Sequence, residues 1–186
     1  MSILNLVFLL LLIISIFELY FLGSWNKFYF FHGIPIFIKK IDFLQAKNLQ
    51  EKIITFIETI ENEDGLKNMK GKIVNKSSYC FREKLIDFSF FKFEYTPVMH
   101  GNITIDITNR VIVIKGLLNI YFIIFCILWL LISSEFSFQE FKNQQLLFKY
   151  IIYFAPILVF CVCYLMQYLK YRKIEKHIKQ IISENT

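Results

Sequence analysis

Three long apolar stretches constrain this chain more than any other feature. Residues 3–22 are interrupted only by Asn5, Ser15 and Glu18. Residues 116–133 carry Asn119 near their start, and residues 150–169 contain Pro156 and Gln167. A helix rises about 1.5 Å per residue, so roughly 20 apolar residues span the hydrocarbon of a bilayer. Each stretch is therefore expected to be a transmembrane helix. Tyr20, Trp25 and Phe28 near the end of the first, and Tyr150, Tyr168 and Tyr171 around the third, fit interfacial aromatic belts. The first stretch is expected to be retained as an anchor. No Lys or Arg precedes it, and no small-x-small cleavage site follows it.

Composition agrees. Of 186 residues, 56% are hydrophobic and 19% charged, against about 45–50% and about 25% in soluble domains. That excludes a disordered chain, and 6 Gly with 3 Pro exclude a collagen-like one. The counts of 31 Ile, 22 Phe and 18 Lys against 2 Ala and 3 Arg are also what A+T-rich coding produces, so Phe clusters are not read as sites.

The expected fold class is a membrane α-helical protein with three transmembrane helices and a small α+β cytoplasmic domain between the first and second spans. The segments are an anchor over 1–22, the domain over 23–115, and a second helix over 116–133. A short external loop over 134–149, a third helix over 150–169 and a basic tail over 170–186 follow. Orientation comes from cations near the spans. Lys27, Lys39, Lys40, Arg110 and Lys115 flank the domain, and Lys170, Arg172, Lys173, Lys176 and Lys179 follow the third span, against Lys142 and Lys149 opposite. The domain and C-terminus are expected in the cytoplasm, with the N-terminus outside. Cys80 is the lone cysteine outside the apolar stretches, so no disulfide framework is expected.

Within 23–115 there are 14 Lys and Arg against 10 Asp and Glu. Ala46, Leu49, Ile53, Ile54, Ile57 and Ile60 make one helical stripe, which predicts a helix over 43–62. Asp42 is its expected N-cap with Gln45 as capping-box partner, and Lys47 pairs with Glu51 at i,i+4. Gly65 is expected to close it at positive φ. Short strands are expected over 72–76 and 79–84, and a strand apolar on both faces over 87–95. Ile103, Ile105 and Ile107 alternate with Thr104, Asp106 and Thr108, a strand pattern with all three isoleucines facing the core. Thr108-Asn109 suggests a hairpin leading into a strand over 110–115, while Pro97 and Gly101-Asn102 mark a preceding turn. Ile34, Ile36 and Ile38 alternate like a first strand, which Pro35 confines to an edge or a strand start.

The motifs of common chemistries are missing. The three histidines, His32, His100 and His177, form no zinc pattern, and no phosphate loop or nucleophile elbow is present. Cys80 or Ser78 with His100 is a conceivable nucleophile pair, of a kind that arises by chance. Cys161 and Cys163 lie two residues apart, so a helix points them apart. Cys163, Met166 and Cys126 could hold a soft ion, but small apolar packing residues are the plainer reading. No cofactor is expected. In the tail, Ile174, Ile178 and Ile181 line one helical face among cations. Lys170, Arg172, Lys173, Lys176 and Lys179 are thus candidate contacts for anionic lipid headgroups, or a simple positive stop signal. Glu18 and Asn119 are each placed about one turn inside the same membrane face, which predicts a polar contact between the first two helices.

The function expected from these residues is non-enzymatic. The chain reads as an integral membrane protein acting as an accessory, protective or regulatory binding protein for another membrane component. Its expected partners are the bilayer and a membrane protein rather than nucleic acid. The alternatives are a small enzyme at the inner leaflet and an oligomeric pore or transporter subunit.

Overall fold

The structure is a computed structural model that describes residues 3–44, 48–84, 99–136 and 146–184. The elements in order are α1 (Ile3–Gly23), α2 (Lys27–Phe31), β1 (Pro35–Asp42), α3 (Leu49–Thr59), β2 (Met69–Asn75), β3 (Ser78–Glu83), β4 (His100–Asp106), β5 (Val111–Leu117), α4 (Ile120–Phe136) and α5 (Leu146–Ser183). A single 3-10 turn, Ile60–Asn62, extends α3. The chain divides into two compact units. One comprises Met1–Tyr20 with Asn119–Leu165, the other Phe21–Leu118 with Met166–Thr186.

The second unit is an α+β fold. Its five strands form one antiparallel sheet in the order β1-β5-β4-β3-β2. Two hairpins, β2–β3 and β4–β5, supply four strands, and β1 returns from far up the chain to pair with β5 as an edge. Pro35 opens that edge strand, where its missing N–H costs no ladder bond. One sheet face carries Phe37, Ile41, Met69, Tyr79, Phe81, Ile103, Ile105, Ile112 and Ile114. It is buried together with Leu49, Ile53, Phe56 and Ile57 of α3 and Tyr171, Ile174 and Ile178 of α5. Two glycines permit close approach. A Cβ on Gly71 would lie 2.3 Å from the Ile57 carbonyl oxygen, and one on Gly116 would lie 2.3 Å from the Tyr171 ring.

Several expectations are corrected. Among the described residues no helix is long and apolar enough to cross a membrane. Gly116 and Leu117 remain paired in β5, so α4 starts only at Ile120 and has 17 residues. In α5 Lys170 begins the charged half of the helix. The three-span fold class, the integral-membrane function and the inside–outside assignment fall together, because the cation vote has no span to orient. What the first unit does show is apolar surface. Leu9, Leu10, Leu12, Ile13, Ile16, Phe17, Leu158, Val159, Val162 and Leu165 are all exposed.

Smaller corrections concern the second unit. Asp42 ends β1 rather than capping α3, which starts after Asn48 at φ 60. Gly65 does take a positive φ, 77°. Gly101 and Asn102 lie inside β4, not in a turn. Ile103 and Ile105 are buried, but Ile107 is 49% exposed because β4 ends at Asp106. The Asp106 carboxylate accepts from the Asn109 backbone N–H at 3.0 Å and from its Nδ2 at 2.6 Å, and Arg110, not Asn109, takes the positive φ. The strand expected over 87–95, Pro97, Gln45, Ala46 and Lys47 lie outside the described residues, as does most of the loop expected over 134–149.

Candidate anion-binding sheet face

In an antiparallel sheet directly paired residues share a face, so register assigns the opposite face row by row. One row runs Lys70, Arg82, His100 and Leu117. The next runs Lys72, Cys80, Asn102, Lys115 and Ile38. A third runs Ser78, Thr104, Val113 and Lys40. Lysines therefore stand on both flanks of this face, Lys70 and Lys72 on β2, Lys115 on β5 and Lys40 on β1. Asp106 and Asp42 lie at its far end, opposite Val111.

The short helix α2 covers the first rows. Asn26 caps it, accepting from the Tyr29 N–H at 3.3 Å. Leu22, Tyr29 and Phe30 pack over Cys80. Asn102 Nδ2 donates to the Phe30 carbonyl at 2.6 Å, which pins α2 to β4. The His100 ring stacks on Tyr29 at 4.7 Å and meets Phe30 edge-on at 5.6 Å. Trp25, at φ 56, stacks on Phe30 at 5.3 Å, and the Arg82 guanidinium carbon lies 4.6 Å from the Trp25 ring centre. Burial pushes the Cys80 thiol up to about 12, although Lys72 and Lys27 pull in the opposite direction. Lys27, on α2, thus adds its field to those of the β2 lysines.

Lys27, Lys40, Lys70, Lys72 and Lys115 are in no ion pair among the described residues. Other cations are committed. Lys170 binds the buried Glu83, whose other oxygen accepts from the Met99 N–H at 2.9 Å. Lys84 pairs with Glu61 at 3.0 Å, and Lys179 and Lys39 reach Glu175 at 2.6 and 3.8 Å.

The tail cations expected to meet lipid are thereby divided. Lys170 and Lys179 are each held in an ion pair, Lys179 while still exposed, whereas Arg172, Lys173 and Lys176 are exposed with no ion pair among the described residues. With Gly65, Met166 and Leu169 they line an open groove of about 640 Å³. The apolar stripe of that helix is taken by the core, with Ile174 and Ile178 fully buried and Tyr171 donating to the His100 carbonyl at 2.9 Å. Glu18 and Asn119 lie in the first unit, both buried, where Glu18 Oε1 accepts from the backbone N–H of Ile120 at 2.8 Å.

The nucleophile pairings do not form across the sheet. Cys80 stands opposite Asn102, and Ser78 opposite Thr104, so neither directly faces His100. Among the described residues no group of three His, Cys, Asp or Glu side chains could hold a metal. The lysine rows were not legible in the sequence because a strand was expected only from residue 72, whereas β2 begins at Met69 and places Lys70 on the same face as Lys72. The period-two spacing of the two lysines was the available signal. No protein-family model, no curated protein and no solved structure matches this chain.

Proposed function

We propose that the chain is a non-enzymatic binding protein whose sheet docks on an anionic lipid surface through its lysine rows. The observation that carries this reading is the set of five lysines, Lys27, Lys40, Lys70, Lys72 and Lys115, on one side of the sheet and in no ion pair among the described residues. Helices α3 and α5 bury the opposite face and α2 covers the middle of this one, which leaves its lysine-bearing flanks for a partner. Apolar groups stand among the cations: Ile38 is 54% exposed in the Lys115 row, and Phe28, next to Lys27 on α2, is 72% exposed. Cations with interspersed apolar side chains suit the headgroup boundary, at about 1 kcal/mol per cation near the surface. A single-stranded nucleic acid would instead need aromatic side chains on which its bases stack. The strand aromatics Phe37, Tyr79 and Phe81 all face the buried core.

Flotation of the purified full chain with vesicles tests this. The expected result is binding to phosphatidylserine-containing vesicles, none to phosphatidylcholine alone, and loss of binding as salt rises. Replacing Lys70 and Lys72 by Gln removes about 2 kcal/mol, roughly a thirtyfold weakening. Equal binding to both vesicle types, or tighter binding to an oligonucleotide that the same variant weakens, overturns the lipid reading.

A further inference from the structure

Arg82 is the least expected cation in the fold. It is 8% exposed, and arginine is almost never that buried without an anion beside it. Among the described residues it has no carboxylate partner. Its Nη1 donates to the Glu83 carbonyl at 3.1 Å, while its Nε is buried with no hydrogen-bond partner among the described residues. The Glu83 side chain is no counter-ion, because it accepts from Lys170 and from the Met99 N–H. Burial also lowers the Arg82 pKa, the sign of a charge that its surroundings do not offset. A second cation stands next to it, since Lys70 is its direct partner on β2 and is exposed. Trp25 lies over the guanidinium in the left-handed region, where a bulky side chain is uncommon.

We propose that Arg82 and Lys70 form a discrete site for a phosphate group, with Trp25 as its cover. The site rests on the reading that this face takes anions, and it adds to that reading a defined stoichiometry and chemistry. The free Nε edge of a guanidinium offers parallel N–H donors that match two oxygens of a phosphate. Lys70 supplies a point charge on the solvent side. The phosphate enters from that side and displaces Trp25 from the guanidinium face, so that the buried cation gains its counter-ion. A free phosphate ester and a phospholipid headgroup present the same group.

The two tryptophans of the chain are Trp25 and Trp129, so Trp129→Phe leaves Trp25 as the sole reporter. The probes are inorganic phosphate and phosphatidic acid vesicles, each titrated against the full chain while Trp25 emission is followed. A saturable change is expected. Arg82→Gln weakens it roughly tenfold or more, and Arg82→Lys, which keeps charge but loses the fork, is intermediate. Lys70→Gln weakens it several-fold, and being a surface change it serves if Arg82→Gln does not fold. Saturation by phosphate alone points to a soluble ester, and saturation only by vesicles points to a headgroup; both support the site. No Trp25 response to either probe, or a response that Lys70→Gln and folded Arg82→Gln leave unchanged, overturns it. Flotation that depends on the lysines without any Trp25 response removes the phosphate site and leaves the lipid reading. A Trp25 response to free phosphate without flotation keeps the site and removes the lipid reading.

Discussion

Glu18 of α1 accepts a hydrogen bond from the backbone N–H of Ile120, the first residue of α4, at 2.8 Å. The bond joins positions 102 residues apart within one compact unit. The carboxylate meets a helix N-terminus, where amides without an intrahelical partner and the helix dipole both favour negative charge. The neighbouring Asn119 is buried, and its Oδ1 has no hydrogen-bond partner among the described residues. Removing the buried acceptor exposes the cost of an unmet N–H, so Glu18→Ala should destabilise by about 1–3 kcal/mol. Glu18→Gln, which keeps an acceptor oxygen, should lose less. Chemical denaturation of the three proteins checks the order, and equal stability of wild type and Glu18→Ala would remove the role.

The β4 register makes a paired prediction. Ile105 is 5% exposed and Ile107 is 49% exposed. Ile105→Ala should cost about 2–5 kcal/mol, whereas Ile107→Ala should stay within about 0.5 kcal/mol. Thermal unfolding distinguishes them, and similar losses at both positions would contradict a strand that ends at Asp106.

Gly116 faces Tyr171, and a methyl group there would meet three ring carbons at 2.3–2.6 Å. The ring has little freedom to withdraw, because it is fully buried and its hydroxyl is bonded to the His100 carbonyl. Gly116→Ala should therefore destabilise by about 1–3 kcal/mol. Adding Tyr171→Phe should not restore stability, since the ring itself is the obstacle. Recovery in Gly116→Ala/Tyr171→Ala relative to Tyr171→Ala alone, read by a double-mutant cycle, measures the clash.

Cys80 predicts a pH response. Its thiol is raised from the usual 9.0 to about 12 by burial. The folded chain thus holds this proton where the unfolded chain releases it, and stability should fall as pH rises from about 9 towards about 12. Cys80→Ala should flatten that fall. At pH 8 the thiolate fraction of Cys80 is on the order of 10⁻⁴. A thiol reagent should accordingly modify the exposed Cys161 first and leave Cys80 until the fold opens. Rapid native modification of Cys80 would contradict the cover that α2 provides.

Local patterns were readable where a single period decided the outcome. The α3 stripe of Leu49, Ile53 and Ile57, the β2–β3 hairpin near Ser77 and the Pro35 strand start follow from spacing and backbone chemistry alone. Patterns that need a partner were not readable. Gly101-Asn102 has turn composition, yet Gly101 serves close packing against Phe81 and the Lys115 carbonyl, and Asn102 serves the Phe30 carbonyl. The Ile174 and Ile178 stripe was visible, but an apolar stripe does not say what covers it, and here a sheet does. Hydropathy likewise marked 116–133 without revealing that β5 retains Gly116 and Leu117. The lysine rows exist only once all five strands are in register.

Because Tyr171, Ile174 and Ile178 complete the core beside strands that begin at Pro35, the order of synthesis matters. All five strands leave the ribosome before α5 does, and β1 waits for β5 across nearly 70 intervening residues. Until α5 follows, α3 alone covers that sheet face, and a nascent sheet with a partly uncovered apolar face is prone to aggregate. The final helix thus acts as the closing step of assembly.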